Sequence, residues 1–443
     1  MVGLIEKFLK HPSVSTDSRK VRSGDLFFAL KGENFDGNDY ALKALEAGAA
    51  FAVIDSVALY ESSSFGRLAG ENARLILVSD VLKALQELAN RHRQAFHIPV
   101  IALTGTNGKT TTKELIAAVL ATKFHVCATQ GNLNNHIGVP LTLLRMDKTT
   151  QAAVVEMGAN HSGEIAELAA IAQPDYGLIT NVGKAHLEGF GSMEGVMQTK
   201  GAMYEAAKTL FVNADNPLLC NMAEQRGGPK EKHFYGLRYQ KASVLPIDEQ
   251  HPFLCLHVPG YPPIETQLIG AYNADNILAA LAVGAFFGVN PVLAAKAIAG
   301  YKPSNNRSQR VQTAKNVLII DAYNANPTSM AAALDNFELL QAKHKAVILG
   351  DMLELGADSE NEHRILVKRL YEMQQGGNIE RIFLVGPRLG AATSEPAPSP
   401  AWCICFGNVN DLQNYLSKNP LSGATIFIKG SHGMRLELGV DAL

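Results

Sequence analysis

The chain has a single tryptophan in 443 residues, and its longest uninterrupted run of apolar or glycine residues, Ile277 to Val289, falls short of the ~20 residues that cross a bilayer. The N-terminal stretch Met1-Val-Gly-Leu-Ile-Glu-Lys-Phe-Leu-Lys10 also lacks a secretory apolar segment. Charge of one sign is missing too. Forty Lys and Arg against forty-two Asp and Glu leave a net charge of −2, which gives no general attraction to nucleic acid or to acidic membranes. Any anion must therefore be bound by a local site. Cysteine is scarce and odd in number (Cys127, Cys220, Cys255, Cys403, Cys405), and only Cys403 and Cys405 fall close together, in a strand-like run. That distribution argues against a disulfide framework and a zinc site and for reduced, buried thiols. The expectation is a soluble cytoplasmic monomer with no nucleic-acid and no membrane partner.

What the chain has is core-forming material, 47% hydrophobic residues, and a length that suggests about three domains at ~150 residues each. Residues 1–82 read as a small α/β module, with strands over Leu26–Leu30, Ala50–Ile54 and Leu75–Val78 and a helix around Asp39–Glu46. Residues 83–302 and 303–443 each read as α/β units in which apolar runs end repeatedly in polar residues. Leu103 precedes a glycine loop, Val155 precedes Glu156, Ile179 precedes Thr180-Asn181 and Val212 precedes Asn213. Ile320 precedes Asp321, Leu349 precedes Gly350-Asp351, and Ile428 precedes Lys429. In open parallel sheets ligands gather beyond the carboxyl ends of strands, so these residues are candidates for shared sites. Helical stretches such as Ser329–Leu340 and Asn361–Met373 supply the crossovers of a second doubly wound sheet. Ser394–Pro400 reads as a surface loop.

The most specific signal is Thr104-Gly-Thr-Asn-Gly-Lys-Thr-Thr111, set between the apolar run Ile98–Leu103 and the helical pattern Lys113–Leu120. Strand, glycine loop and helix make a phosphate cradle. Gly105 and Gly108 let backbone N–H groups approach anionic oxygens, Lys109 reaches terminal phosphates, and Thr110 can hold magnesium. A common P-loop has a glycine where this chain has Leu103, which sets it apart from most P-loop GTPases and ATPases.

Other residues leave alternatives open. Glu156, after the buried-strand run Ala152–Val155, either caps the next turn or offers magnesium a carboxylate. His186 lies in a glycine-punctuated loop, as a solvated residue or as a phosphate or metal contact. Lys200 is a surface lysine, or a buried amine able to add carbon dioxide and become a carbamate. Asn273 caps the helix that follows it or meets a nucleotide base. Arg307 and Asp321 flank a strand near the proposed domain joint, where an arginine from across a cleft could stabilise a transferring phosphate.

Taken together, Thr104–Thr111, Gly131-Asn-Leu-Asn-Asn-His-Ile-Gly-Val-Pro140, Glu156-Met-Gly158, Asn181-Val-Gly-Lys-Ala-His186, Asp321-Ala-Tyr-Asn-Ala-Asn-Pro327 and Gly350-Asp-Met-Leu-Glu-Leu-Gly356 resemble the Mur ligases over nearly the whole chain. The resemblance implies an α/β protein of three domains: a small N-terminal UDP-substrate domain, a central P-loop ATP domain and a C-terminal Rossmann-like domain for D-alanyl-D-alanine. It implies that Thr104, Gly105, Thr106, Asn107, Gly108, Lys109, Thr110 and Thr111 cradle ATP, and that Thr110, Glu156, His186 and a carbamylated Lys200 serve Mg2+. Asn273 would approach adenine, Asp321 the ribose and Arg307 the γ-phosphate. Asp17, Ser18, Arg19, Lys31 and Gly32 would seat UDP, and Asn134 and Asn135 the acceptor sugar and peptide. The family's Gly-Arg pair reads Asn306-Arg307 here, with Arg310 three residues on. The implied reaction phosphorylates the carboxylate of UDP-N-acetylmuramoyl-tripeptide to an acyl phosphate, which the amine of D-alanyl-D-alanine attacks. Rival readings are a sister ligase or a folylpolyglutamate-synthetase-like ligase, a P-loop switch ATPase, and a silent UDP-sugar binding module.

Overall fold

The computed structural model describes residues 2–67, 73–228, 230–246, 252–303, 307–393 and 402–443. The surface loop expected at Ser394–Pro400, and Asn306, lie outside the described residues. Three α/β domains follow one another along the chain.

The first has a parallel sheet ordered Val14–Ser15, Leu26–Phe28, Phe51–Ile54, Leu75–Leu77. Each strand is one or two residues shorter than expected, although Ala29 N and Val78 N still donate to Val53 O and Ile54 O, and the expected Asp39–Glu46 helix is a 3-10 turn over Gly37–Tyr40 running into an α-helix over Ala41–Glu46. The helix Val81–Gln94, capped by the Asp80 carboxylate on Lys83 N, buries Val81, Leu85 and Leu88. They join one core made from both this domain and the central one.

The central sheet is six-stranded and wholly parallel, in the order Glu231–Tyr235, Thr209–Asn213, Tyr176–Ile179, Val100–Thr104, Ala152–Glu156, Val126–Ala128. Val100–Thr104 is buried on both faces, with Val100 and Ala102 in one core and Ile101 and Leu103 in the other, which is why it reads as an unbroken apolar run. From it the chain moves out to Val126–Ala128 on one side, returns, and then crosses to Tyr176–Ile179 on the other. The crevice at that reversal lies at the carboxyl end of Val100–Thr104, where the glycine loop begins.

The C-terminal sheet runs Gln309–Gln312, Val317–Asp321, Thr425–Lys429, Lys345–Gly350, Arg381–Val385, Cys403–Phe406, parallel except for its first strand. Asp321 and Lys429 therefore end adjacent strands. The five cysteines are free thiols as expected, although only Cys127 and Cys403 are buried and the other three are half-buried.

Candidate functional site

At the end of Val100–Thr104 the chain turns through Gly105 at φ +152° and Gly108 at φ +78°. A β-carbon on Gly105 would lie 1.9 Å from Thr180 Oγ1, and one on Gly108 would lie 2.6 Å from Asn276 Oδ1, so both positions demand glycine. The loop is held from the next strand. Asn107 N donates to Asn181 Oδ1 at 2.9 Å, Thr106 N to Asn181 O at 2.9 Å, and Thr180 Oγ1 to Asn107 O at 2.7 Å. The helix Lys109–Ala121 then starts without a side-chain cap. Its N-terminal amides and positive dipole end are left to serve an anion.

Lys109 Nζ donates to the loop's own Gly105 and Thr106 carbonyls at 2.7 and 3.1 Å. Burial pulls its pKa down to about 8; Glu156 opposes the shift and the Arg307 charge adds to it. Lys200, 2% exposed, donates from behind to the same Gly105 carbonyl at 3.1 Å. Burial, with the Lys109 charge second, drives its pKa well below the ordinary lysine range. An amine so placed is poised to exist as the free base.

Glu156 ends its strand fully buried. Its Oε1 accepts from Thr110 Oγ1 at 3.1 Å and from Asn134 Nδ2 at 2.7 Å, while its backbone N–H donates to Thr129 Oγ1 at 3.0 Å. The other oxygen, Oε2, is buried and has no hydrogen-bond partner. It is not a turn cap. Asn135, by contrast, spends its side-chain oxygen on the Ile137 and Gly138 amides.

The C-terminal domain closes the site from above. The Arg307 guanidinium stacks 3.6 Å over the Tyr323 ring, and its Nε is buried without a partner. Asp321 accepts from Lys429 Nζ at 2.6 Å and from Ser308 N at 3.2 Å. Arg310 instead sits in the antiparallel edge strand opposite Ile319 and does not line the cavity. Contacts between the two domains include Ala271 N donating to Asn336 Oδ1 at 3.2 Å and the Tyr272 and Ser308 hydroxyls 3.0 Å apart, and three more. Asn326, which caps the helix Pro327–Leu339, gives its amide to Asn107 Oδ1 at 2.8 Å; Lys184 meets Glu362 at 2.7 Å; His186 Nδ1 meets Glu354 at 2.5 Å. The His186 bond holds the Glu354 carboxyl below its ordinary range.

These groups share a cavity of about 960 Å³, lined by Thr106 to Thr111, Asn134, Asn135, Glu156, His186, Asn273, Arg307 and Asp321. Thr104, Gly105 and Lys200, expected to contact nucleotide or metal directly, lie behind this surface: Thr104 ends a buried strand, and Gly105 faces Thr180. Asp17, Ser18, Arg19, Lys31 and Gly32 lie away from it in the N-terminal domain. There Arg19 Nε and Nη2 both bond Asp17 at 2.9 Å, which lowers the Asp17 pKa to about 2, and Lys31 pairs with Asp55 at 3.0 Å. Asn273 makes no capping bond. Its amide donates to Ile269 O at 2.8 Å, and its oxygen accepts from Asn276, which also takes the Thr112 hydroxyl. Another cavity, of about 1040 Å³, lies at the amino ends of the same strands, where Arg93 and Asp175 are already paired at 2.9 Å.

Sequence reasoning did not single out Lys113, Asn276, Tyr323, Asn326 or Glu354. The recurring polar residues after strands pointed to the right end of each sheet, but these five acquire their roles from partners distant in the chain.

Three family descriptions match successive parts of the chain: "Mur ligase family, catalytic domain" over residues 12–93, "Mur ligase middle domain" over 103–284, and "Mur ligase, glutamate ligase domain" over 306–432. The UDP-N-acetylmuramoyl-tripeptide--D-alanyl-D-alanine ligase of Bacillus subtilis is 38% identical, over 96% of this chain and 91% of its own. The crystal structure of MurF from Acinetobacter baumannii superposes with a TM-score of 0.82 at 29% identity, covering 97% of this chain and 92% of that one. MurF from Thermotoga maritima, solved in complex with ADP, gives 0.81 at 26% identity, covering 98% and 97%.

Proposed function

The chain belongs to the Mur ligase family, and from that premise we propose that it joins D-alanyl-D-alanine to UDP-N-acetylmuramoyl-tripeptide with ATP, a step of peptidoglycan synthesis. The relative from Bacillus subtilis bearing that name supports the reading over 96% of the chain. The observation that carries it is the meeting, in one cavity, of Lys109 on a phosphate loop and Arg307 from another domain, close enough for the two charges to interact. A folylpolyglutamate synthase from Mycobacterium tuberculosis shares the fold but covers 82% of this chain, whereas the ligases above cover 96% and 97% of it.

A carboxylate resists attack because its leaving group would be oxide; transfer of the γ-phosphoryl group makes the leaving group phosphate. In this reading the loop amides and Lys109 hold the phosphates, and Arg307, stiffened by Tyr323, neutralises charge on the transferring group. Asn273 and Asp321 meet adenine and ribose. Asn134 and Asn135 face the acceptor, Asp17, Ser18, Arg19, Lys31 and Gly32 seat the uridine end, and the C-terminal domain takes the dipeptide. The amine of D-alanyl-D-alanine attacks the acyl phosphate, and phosphate leaves from the tetrahedral intermediate. The interdomain contacts keep water from the acyl phosphate meanwhile.

Magnesium fits the residues present: the orphaned Glu156 Oε2 and the Thr110 hydroxyl are hard oxygen donors. His186 contributes its Nε2 at most, since Glu354 occupies Nδ1. When bound, the ion supplies positive charge to the phosphate oxygens. Lys200 fits carbamylation, because a buried amine of lowered basicity is a nucleophile for carbon dioxide, and the product anion would offset the Lys109 charge. The reading carries with it a monomer working in the cytoplasm.

Phosphate release from ATP and magnesium, with mass detection of product, tests the proposal. Release is expected only with both UDP-N-acetylmuramoyl-tripeptide and D-alanyl-D-alanine, together with the joined product. Equal release without either substrate would refute the ligase and favour a switch-type ATPase.

A further inference from the structure

Lys113 lies one helical turn beyond Lys109 on the phosphate-loop helix, where a lysine ordinarily extends into solvent; here it is 1% exposed. Its ammonium points inward and donates to Thr129 O at 2.8 Å and Gly131 O at 3.3 Å. It meets the partly exposed Glu114 Oε1 at 3.5 Å, a carboxylate whose other oxygen already takes the Tyr301 phenol, and it stands 3.9 Å from the fully buried Glu156 Oε2, the carboxylate oxygen that no hydrogen bond satisfies. That separation is too long for a hydrogen bond but short for two buried opposite charges. Thr129 is gripped twice: its carbonyl by Lys113, its hydroxyl by the Glu156 amide. The segment Thr129–Gly131 leads directly to Asn134, which bonds Glu156 Oε1.

A buried ammonium is costly unless its charge has a function or a partner. If Lys113 only braced two carbonyls, a neutral donor would serve equally. We propose that Lys113 is a positioning residue for the metal side of the site: its charge orients the free oxygen of Glu156, and its hydrogen bonds hold the segment that delivers Asn134 to the other oxygen. The role rests on the reading of Glu156 as a magnesium ligand, and charge and bracing predict different behaviour on substitution.

The test is ADP binding by calorimetry to the full chain, with and without magnesium chloride, for wild type, Lys113→Met, Lys113→Gln, Glu156→Gln and the Lys113→Met/Glu156→Gln pair. Without magnesium, the Lys113 variants should bind ADP within about twofold of wild type, which reports an intact loop. The gain in affinity that magnesium brings should fall by roughly tenfold in Lys113→Met, the usual scale for removing a group that orients a metal ligand. It should fall equally in Lys113→Gln, and no further when added to Glu156→Gln. A full magnesium gain in either Lys113 variant, or losses that simply add in the double variant, would overturn the role. Should Lys113→Met lose ADP binding altogether, Lys113→Gln, which keeps a donor for the two carbonyls, decides. A wild type whose ADP affinity ignores magnesium would instead overturn the metal reading itself, and this role with it.

Discussion

Gly105 offers the sharpest test of how the phosphate loop is built. Alanine there must adopt φ near +152°, a region that costs a non-glycine residue about 1–3 kcal/mol. Its methyl would also fall 1.9 Å from Thr180 Oγ1 and 3.2 Å from Asn181 N. The hydroxyl must move, and its bond to Asn107 O, worth ~1 kcal/mol net, is lost. Together these give about 2–4 kcal/mol, and at ~3 kcal/mol a melting temperature roughly 6–12 °C lower for a unit of this size. ADP affinity should fall as well, since Asn107 carries the loop amides. In a Thr180→Ala background the same glycine substitution should cost ~1 kcal/mol less, because the colliding hydroxyl is already gone. Thermal unfolding and ADP titration of the four proteins measure this. A Gly105→Ala protein melting within about 2 °C of wild type with unchanged ADP affinity would refute the argument.

Other consequences are as direct. The Lys109 pKa, lowered to about 8 by burial, predicts that an amine-reactive reagent labels Lys109 with a midpoint near pH 8 in the free protein, read by peptide mass spectrometry; a midpoint in the ordinary lysine range would contradict it. Because this folded pKa lies below the unfolded one, the protonated lysine disfavours the fold at neutral pH, and its penalty should fade as pH rises from about 8 toward the unfolded value. Glu362→Gln removes the partner of Lys184, a pair whose lysine is half exposed and whose carboxylate is buried, and should cost ~1 kcal/mol, about fivefold in the balance between closed and open domains. X-ray scattering should show a larger radius of gyration; an unchanged curve would mean the pair does not hold the domains. Tyr323→Ala removes the ring beneath Arg307 and should lower kcat about tenfold with a smaller effect on the KM for ATP. Unaltered turnover would leave that stacking without a function.

Much of this site could be read in the sequence because its chemistry is local. Gly105, Gly108, Lys109 and Thr110 are neighbours in the chain, and the strand before them and the helix after them are each marked by hydrophobic period. Glu156 was legible for a related reason: a carboxylate at the close of a buried run falls at the carboxyl end of the sheet. What could not be read are pairings made by topology. Nothing near Asn107 announces Asn326, and nothing near His186 announces Glu354, since each pair spans two domains. Asn273 shows the limit from the other side. Its place before a helix suggested a cap, yet the burial of Asn276 on the facing surface drew it into a side-chain chain of amides. Lys113 looked like helix surface, and only the fold shows that it points inward.

The phenol of Tyr301, which ends the last helix of the central domain, donates to Glu114 Oε2 at 2.5 Å, and Glu114 sits on the helix that Lys109 begins. The chain is thus moored to the phosphate loop's own helix where the central domain ends. From that mooring to Arg307 the chain can extend roughly 20 Å at ~3.3 Å per residue. However the C-terminal domain swings, the backbone of Arg307 cannot stray outside a sphere of that radius around a fixed point on the helix that Lys109 begins. One guanidinium in such a volume corresponds to a local concentration of about 50 mM. If Arg307 serves the transferring phosphate as proposed, an arginine tethered this closely does not have to find it by diffusion; domain closure needs only to orient it.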